Sequence, residues 1–297
     1  MQCNMTKFSS SAPLWLGLVI GNTRYHWGLY AGTSLLQTWH SPHLSAAAAQ
    51  YLTQGRWDFT ACWASLDRRL NVTDKAKLPN EDLRSQLLDQ MQARDRDIEI
   101  WIASVVPTQT DLWREYSSAH LLSMEEIPLL NTYASLGIDR ALALWAAGET
   151  YGWPVLAIDA GTALTLTAGS PARELIGGAI LPGLSLQRRA LAQGTAVLSR
   201  YLSTSGTESP CLPQRWALDT ATAIESGAIY TTVAGLQDFL LDWWQQFPRS
   251  LAILTGGDGH RLHSYLQQRF PQTASRLTLN PTLVLQGIQL CQLNLQR

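Results

Sequence analysis

Two segments with the same strand–glycine turn–strand pattern constrain the fold of this chain most strongly. Val19–Thr23 and Asp159–Ala163 each end an apolar strand, turn at a glycine, and open into a second strand rather than a helix. A single glycine hairpin is common, but each copy here begins a run of strands that is followed by helices. The sequence therefore predicts an α/β fold of two related halves, residues 1–130 and 131–297.

The periodicity of apolar residues and the turn residues predict the elements of each half. The predicted strands are 14–20, 25–30, 35–39, 60–65, 98–106, 155–158, 164–168, 174–181 and 251–254. The predicted helices are 44–53, 81–94, 109–118, 141–150, 184–193, 220–245, 259–268 and 282–293. The polar segment 67–97 is expected to be a loop with a solvated surface helix, and 199–216 is expected to be a loop.

Composition excludes several classes of protein. The chain has 297 residues, 46% of them hydrophobic, which is enough for two domains of ordinary size. A formal net charge of −1 gives no basic field for nucleic acid or anionic lipid. The four cysteines are scattered, which favours a reducing compartment and argues against structural zinc. The apolar run 14–20 is too short for a membrane span or a signal sequence, so a cytoplasmic location is expected.

Lysine usage restricts how a nucleotide can be bound. The only lysines are Lys7, Lys75 and Lys77, and no G-x-x-x-x-G-K-[ST] motif occurs. The two glycine turns offer another solution, because backbone N–H groups at a tight glycine turn point at a phosphate and a neighbouring threonine adds a hydroxyl donor. An ordinary turn is the alternative at either place.

Asp159 and the segment Gly137–Arg140 are the candidates for chemistry. A carboxylate that ends an apolar strand is costly to bury without a partner, so Asp159 is expected to meet a bound cation or a network of donors. Asp139 precedes a helical run and can serve as its N-cap. Alternatively, the helix N-terminus keeps Asp139 ionised so that it accepts a hydroxyl proton while Arg140 meets phosphate or carboxylate oxygens. Phosphoryl transfer to an alcohol uses such a combination of a carboxylate base and a positive charge.

Two further glycine-rich segments follow predicted strands or lie inside them. Gly177–Gly183 has glycines at both ends of a strand, which indicates close backbone approach or a bulge. Gly256 and Gly257 follow strand 251–254, where they can lie flat against a nucleotide or form an ordinary turn. The H-x-x-H pair His260 and His263 fits a surface helix face better than a metal site.

These motifs occur in an order that resembles one family. The combination of LG-x-DR at 136–140, D-x-GTA-x-T at 159–165 and GG-x-I-x-PG at 177–183 resembles the type III pantothenate kinases, members of the acetate kinase/sugar kinase/Hsp70/actin superfamily. The resemblance implies two RNase H-like halves, each a mixed sheet with flanking helices. It also implies ATP-dependent phosphorylation of pantothenate to 4′-phosphopantothenate, the first step of coenzyme A biosynthesis, by a homodimer.

The resemblance also assigns expected roles to residues. Asp139 is the expected proton acceptor, and Asp159 is expected to hold a monovalent cation, K⁺ or NH₄⁺, while Mg²⁺ enters with ATP. The expected pantothenate contacts are Gly137, Ile138, Asp139, Arg140 and Thr220, with Tyr133 as a substitute for a tyrosine that the family has further upstream. The expected ATP contacts are Val19, Ile20, Gly21, Asn22, Thr23, Arg24, Tyr25, His26, Gly161, Thr162, Gly256 and Gly257.

One departure from the family pattern keeps two other hypotheses open. The first loop of the family reads D-x-GNT, and Val19 stands here in place of the aspartate. The chain can therefore be a non-catalytic or regulatory relative of the same fold. A sugar or acetate kinase of the same superfamily is the other alternative.

Overall fold

The computed structural model describes residues 12–56, 98–195, 198–201 and 209–296. The chain forms two compact units, Met1–Glu126 with Ile288–Arg297, and Ile127–Gly287. The strand predicted at 60–65 and the surface helix predicted within 67–97 lie outside the described residues. Among the residues that are described, no helix has the length and hydropathy needed to cross a membrane.

The first unit contains a five-stranded mixed sheet. Its strands are β1 (Leu14–Ile20), β2 (Tyr25–Ala31), β3 (Ser34–Ser41), β4 (Glu99–Ser104) and β5 (Ala119–Leu121), in the order β3-β2-β1-β4-β5. The strands β1, β2 and β3 pair antiparallel to one another, and β4 and β5 run parallel to β1. The described helices are α1 (Ala46–Tyr51), which continues as a π-helical segment Leu52–Arg56, and α2 (Pro107–Thr110). Two 3₁₀ turns, Asp111–Trp113 and Met124–Glu126, follow.

Alternation along the strands gives this sheet two faces. One face packs into an apolar core that includes Leu18, Ile20 and Trp27, all of them 1% exposed or less. On the other face, Trp15 and Tyr30 stack with ring centroids 4.0 Å apart. Val19 also lies on this second face, because its neighbours Leu18 and Ile20 both enter the core.

The second unit contains a sheet of the same design. Its strands are β6 (Val155–Ala160), β7 (Ala163–Gly169), β8 (Leu175–Pro182), β9 (Leu251–Thr255) and β10 (Leu277–Leu279), in the order β10-β9-β6-β7-β8. The helices are α3 (Ile138–Tyr151), α4 (Leu184–Gly194), α5 (Thr220–Gln246), α6 (Gly259–Arg269), α7 (Pro271–Ala274) and α8 (Leu283–Leu295). The last residues of α8 belong to the first unit.

The two sheets repeat one topology. In each, three antiparallel strands come first along the chain, and two later strands run parallel to the first strand. Strands β1, β2, β3, β4 and β5 therefore correspond to β6, β7, β8, β9 and β10. The predicted α/β fold of two related halves is confirmed.

Two local predictions differ from the structure, and two short strands had no prediction. The helix expected at 109–118 is reduced to α2 and one 3₁₀ turn, which brings the fully buried side chain of Trp113 into the core before the chain enters β5. The strand expected at 98–106 ends at Ser104, whose hydroxyl accepts from the backbone N–H of Val106 at 3.2 Å. The short strands β5 and β10 were not predicted from the sequence.

Candidate active site

The first turn of α3 positions Asp139. The helix begins at Ile138 with Gly137 as its N-cap residue, so Asp139 is the second residue of the helix and the alternative of Asp139 as N-cap is wrong. The carboxylate folds back over the preceding chain, because a Cβ built on Gly137 would lie 2.5 Å from Asp139 Oδ1. Gly137 has an ordinary φ of −63°. Glycine is therefore required here because the Asp139 carboxylate occupies the space of a side chain, and not because of the backbone conformation.

The charge of Asp139 is set by opposing contributions. Its Oδ1 accepts the backbone N–H of Arg140 at 2.8 Å. Burial raises the pKa of Asp139 above its ordinary value and outweighs the lowering by this hydrogen bond and by the Arg140 charge. The backbone hydrogen bonds at the helix N-terminus act in the predicted direction, but burial makes the larger contribution. A carboxylate with a raised pKa is a stronger proton acceptor when ionised.

Arg140 is buried beneath the start of the helix. Its side chain belongs to a residue only 7% exposed. The guanidinium donates to the Tyr133 hydroxyl at 2.9 Å and to Thr167 Oγ1 at 3.2 Å. A Cβ built on Gly178 would lie 2.6 Å from Arg140 Nη2, so the glycine of β8 leaves the room that the guanidinium occupies. Hydrogen bonds and the nearby Asp139 carboxylate offset the cost of burying this charge.

Asp159 lies near the end of β6, on the sheet face opposite the core. Its neighbours Ile158 and Ala160 both enter the apolar core, which leaves Asp159 on the other face. Burial first, and the charge of Asp139 second, raise the pKa of Asp159 to about 7. Two carboxylates and one guanidinium thus share one region, which favours a further positive charge.

Strand pairing places four residues in one line across this face. Thr255 of β9, Asp159 of β6, Thr165 of β7 and Ile180 of β8 are consecutive pairing partners, and we call them the Asp159 row. Thr165 and Ile180 belong to the motifs at 159–165 and 177–183, but the sequence alone assigns them no role. Only the register of the strands brings them beside the carboxylate.

Two glycine turns of this unit lie close to the same carboxylate. The backbone N–H of Gly161 donates to the carbonyl of Ala163 at 3.0 Å, and that of Gly183 donates to the carbonyl of Thr162 at 3.0 Å. Gly256 has φ +89°, and a Cβ built on it would lie 2.4 Å from Asp159 Oδ1. The backbone after β9 therefore lies directly against Asp159, whereas the adjacent Gly257 is exposed.

The remaining predicted residues of this unit occupy separate positions. Thr220 begins α5, which is capped by the Asp219 side chain accepting from the backbone N–H of Thr222 at 2.9 Å. Tyr133 is 45% exposed and reaches the site through Arg140. Ile138 is a buried residue of the first turn of α3.

The first loop belongs to the other unit. Its turn closes with the backbone N–H of Gly21 donating to the carbonyl of Arg24 at 3.1 Å, and Asn22, Thr23 and Arg24 are exposed. Ile20 and Tyr25 are fully buried, so their side chains support the loop from the core. These residues form a surface turn with exposed polar groups at its tip.

Val19 occupies the position in the first sheet that Asp159 occupies in the second. Val19 pairs with Ala103 of β4 and His26 of β2, and His26 pairs in turn with His40 of β3. Val19 is 7% exposed. Burial, together with the charges of His40 and Arg24, lowers the pKa of His26 to about 3, so the imidazole is neutral at physiological pH.

The fold and this site together define an α/β protein with a carboxylate pair and an arginine on one sheet face. A solved Campylobacter jejuni protein described as a Baf family transcriptional activator has the same fold, with a TM-score of 0.55 at 15% identity, covering 95% of this chain and 100% of that one. At this identity the likeness concerns the fold alone.

Sequence comparison gives the family. The family model for type III pantothenate kinase matches residues 58–240, more than half of the chain. A type III pantothenate kinase of Nostoc sp. is 42% identical over 275 residues, covering 93% of both chains. One of Synechococcus sp. is 40% identical over 288 residues, covering 96% of this chain and 94% of the relative. The chain belongs to the type III pantothenate kinase family.

Proposed function

We propose that this chain transfers the γ-phosphoryl group of ATP to pantothenate and forms 4′-phosphopantothenate, the first step of coenzyme A biosynthesis. Membership of the family supports the reaction. The observation that carries the assignment of its site is the meeting of Asp139, Arg140 and Asp159 on one face of the second sheet.

Asp139 is the proton acceptor in this proposal. The acceptor hydroxyl oxygen forms a bond to the γ-phosphorus while the bond from that phosphorus to the leaving ADP oxygen breaks. The hydroxyl proton passes to the Asp139 carboxylate. Support comes from the helix start, which holds this carboxylate on the backbone N–H of Arg140, and from the raised pKa, which suits a general base.

Arg140 is proposed to neutralise charge next to the base. Its guanidinium is held by Tyr133 and Thr167 and cannot lose its proton. In phosphoryl transfer, positioning and charge neutralisation supply most of the rate enhancement. Gly137, Ile138, Thr220 and the exposed Tyr133 complete the proposed pantothenate contacts.

Asp159 is proposed to hold a monovalent cation, K⁺ or NH₄⁺. The site fits such an ion, because the partly buried carboxylate lies near a second carboxylate, and burial first and the charge of Asp139 second raise its pKa. A bound cation would supply that charge and offset the negative charge brought by phosphate groups. Mg²⁺ is proposed to enter with ATP.

Backbone groups at the glycine turns are the proposed ATP contacts. The first loop, Val19–His26, and the residues Gly161, Thr162, Gly256 and Gly257 offer N–H groups and hydroxyls without a lysine. We further propose a homodimer in the cytoplasm. Large apolar side chains on the surface of α5, among them Phe239 (40% exposed) and Leu241 (49% exposed), support a protein contact.

The test is a substrate-dependent ATPase measurement on the purified full chain. ADP formation with ATP, Mg²⁺ and K⁺ should require pantothenate, and mass spectrometry should detect 4′-phosphopantothenate. Replacing K⁺ by Na⁺ should lower the rate, and NH₄⁺ should restore it. A folded sample that forms no phosphopantothenate, or that turns over a sugar or acetate instead, would refute the proposed function.

A further inference from the structure

An isoleucine of the second sheet is exposed within a specific motif. Ile180, of the segment Gly177–Gly183, is 64% exposed although it lies in the middle of β8. Its neighbours Ala179 and Leu181 pack against the apolar core on the opposite face. Within the part of the chain that the structure describes, Ile180 is therefore exposed on the face that carries Asp159.

Strand register brings Ile180 close to the proposed catalytic groups. Ile180 pairs with Thr165, and Thr165 pairs with Asp159. Neighbouring strands are about 4.8 Å apart, so Ile180 and Asp159 lie roughly 10 Å apart along the Asp159 row. Along β8, the next residue on this face is Gly178, where the Arg140 guanidinium is seated. Ile180 is thus an apolar side chain between polar groups.

The acceptor has one apolar part that such a side chain can recognise. Pantothenate carries two methyl groups on the carbon next to its reacting CH₂OH group, and its other functional groups are polar. Asp159, Thr165 and Arg140 provide carboxylate, hydroxyl and guanidinium groups, which suit only the polar parts. Ile180 is the one hydrophobic member of the Asp159 row, and apolar contact is the only attraction that methyl groups offer.

We propose that Ile180 is a specificity-determining residue that contacts the geminal dimethyl group of pantothenate. This inference rests on the proposed function. It assigns the acceptor a direction along the Asp159 row, with its hydroxyl at the carboxylates and its methyl groups over β8. It also gives a role to the isoleucine of the GG-x-I-x-PG motif, which the proposed catalytic steps do not use.

The experiment compares two acceptors with two enzymes. Pantothenate and its analogue without the two methyl groups are assayed with the wild-type chain and with Ile180→Ala. For pantothenate, kcat/KM should fall about 10- to 50-fold, mainly through a higher KM. For the analogue, which has lost the contact already, kcat/KM should change less than about twofold. Ile180→Val, which keeps a branched apolar group, should retain most of the activity toward pantothenate.

Ile176 provides a matched control. It lies on the same strand, is 49% exposed, and lies outside the Asp159 row, so Ile176→Ala should leave both acceptors unaffected. If Ile180→Ala does not fold, Ile180→Thr replaces it and should show the same selective loss for pantothenate.

Two results would overturn the proposal: no loss of kcat/KM for pantothenate, and an equal loss for both acceptors. An equal loss that comes with a change in sedimentation would assign Ile180 to contact with a second copy of the chain. The proposed function fails separately, if the wild-type chain itself has no pantothenate-dependent turnover.

Discussion

Adjacent glycines after β9 allow the backbone support of Asp159 to be tested separately from nucleotide contact. Gly256 has φ +89°, and a Cβ at this position would lie 2.4 Å from Asp159 Oδ1 and 2.5 Å from the carbonyl carbon of Ala160. Gly257 has no heavy atom within 4 Å of the corresponding position. The substitutions Gly256→Ala and Gly257→Ala therefore add the same methyl group to very different surroundings.

The expected destabilisation follows from two contributions. The left-handed backbone conformation costs a non-glycine residue about 1–2 kcal/mol. Forcing a methyl group against backbone atoms costs about 1–3 kcal/mol more. Gly256→Ala should thus lower the free energy of unfolding by about 2–5 kcal/mol, which corresponds to a fall in Tm of roughly 5–15 °C. Gly257→Ala should change stability by less than about 1 kcal/mol.

Calorimetric melting and ATP titration together give the readout. Gly257→Ala should melt like the wild-type chain but bind ATP about three- to tenfold more weakly, because the added methyl group holds the nucleotide away from the backbone. A Gly256→Ala variant that melts within about 1 °C of wild type would refute the steric reasoning. Unchanged ATP affinity in Gly257→Ala would remove Gly257 from the nucleotide site.

Three further predictions concern the charged groups and their counterpart in the first sheet. Asp139→Asn should lower kcat at least roughly 100-fold with little change in pantothenate binding. In the wild-type chain kcat should fall as the pH decreases, because Asp139 becomes protonated, and the midpoint should lie above the ordinary pKa of an aspartate. Normal turnover by Asp139→Asn would contradict the role of Asp139 as base. Asp159→Asn should stabilise the chain in K⁺-free buffer, because a pKa raised from 3.8 to about 7 makes ionised Asp159 destabilising. This penalty is absent below about pH 4, grows as the pH rises toward 7, and reaches at most about 4 kcal/mol above it. Urea unfolding at pH 5 and pH 8 measures it, and an Asn-minus-Asp difference that does not grow with pH would contradict it. Val19→Asp should raise the pKa of His26 from about 3, because the new carboxylate would lie beside its pairing partner His26 and favour the charged imidazole. An unchanged NMR titration of the His26 imidazole would contradict the pairing of Val19 with His26.

Much of the fold could be predicted from local pattern because its main strands and helices are long enough to show a period. The apolar runs of β1 and β6 are readable from the sequence alone. β5 and β10 have three residues each, too few for any periodicity. Their place in the sheets depends on pairing with β4 and β9, residues distant in the chain.

The residues of the candidate site could be predicted from the sequence, but the directions of their pKa shifts could be predicted only in part. Local rules identify Asp139 as a carboxylate at a helix start, and those rules predict a lowered pKa. The burial that reverses this direction comes from the folded surroundings, which the local sequence does not reveal. Similarly, the motif contains Ile180, but only the register of β7 and β8 shows that its side chain lies beside Thr165.

The repeated topology has a consequence for how ligands are oriented. Because the two sheets share one topology, each has a corresponding row of paired side chains. A chain with a carboxylate in both rows would have two possible cation sites. Here one row contains Asp159 and the other contains Val19 with the neutral His26. The two corresponding rows therefore differ in charge. Of the two corresponding positions only Asp159 carries a carboxylate, so the proposed cation has one place rather than two, and a valine-for-aspartate difference makes that distinction.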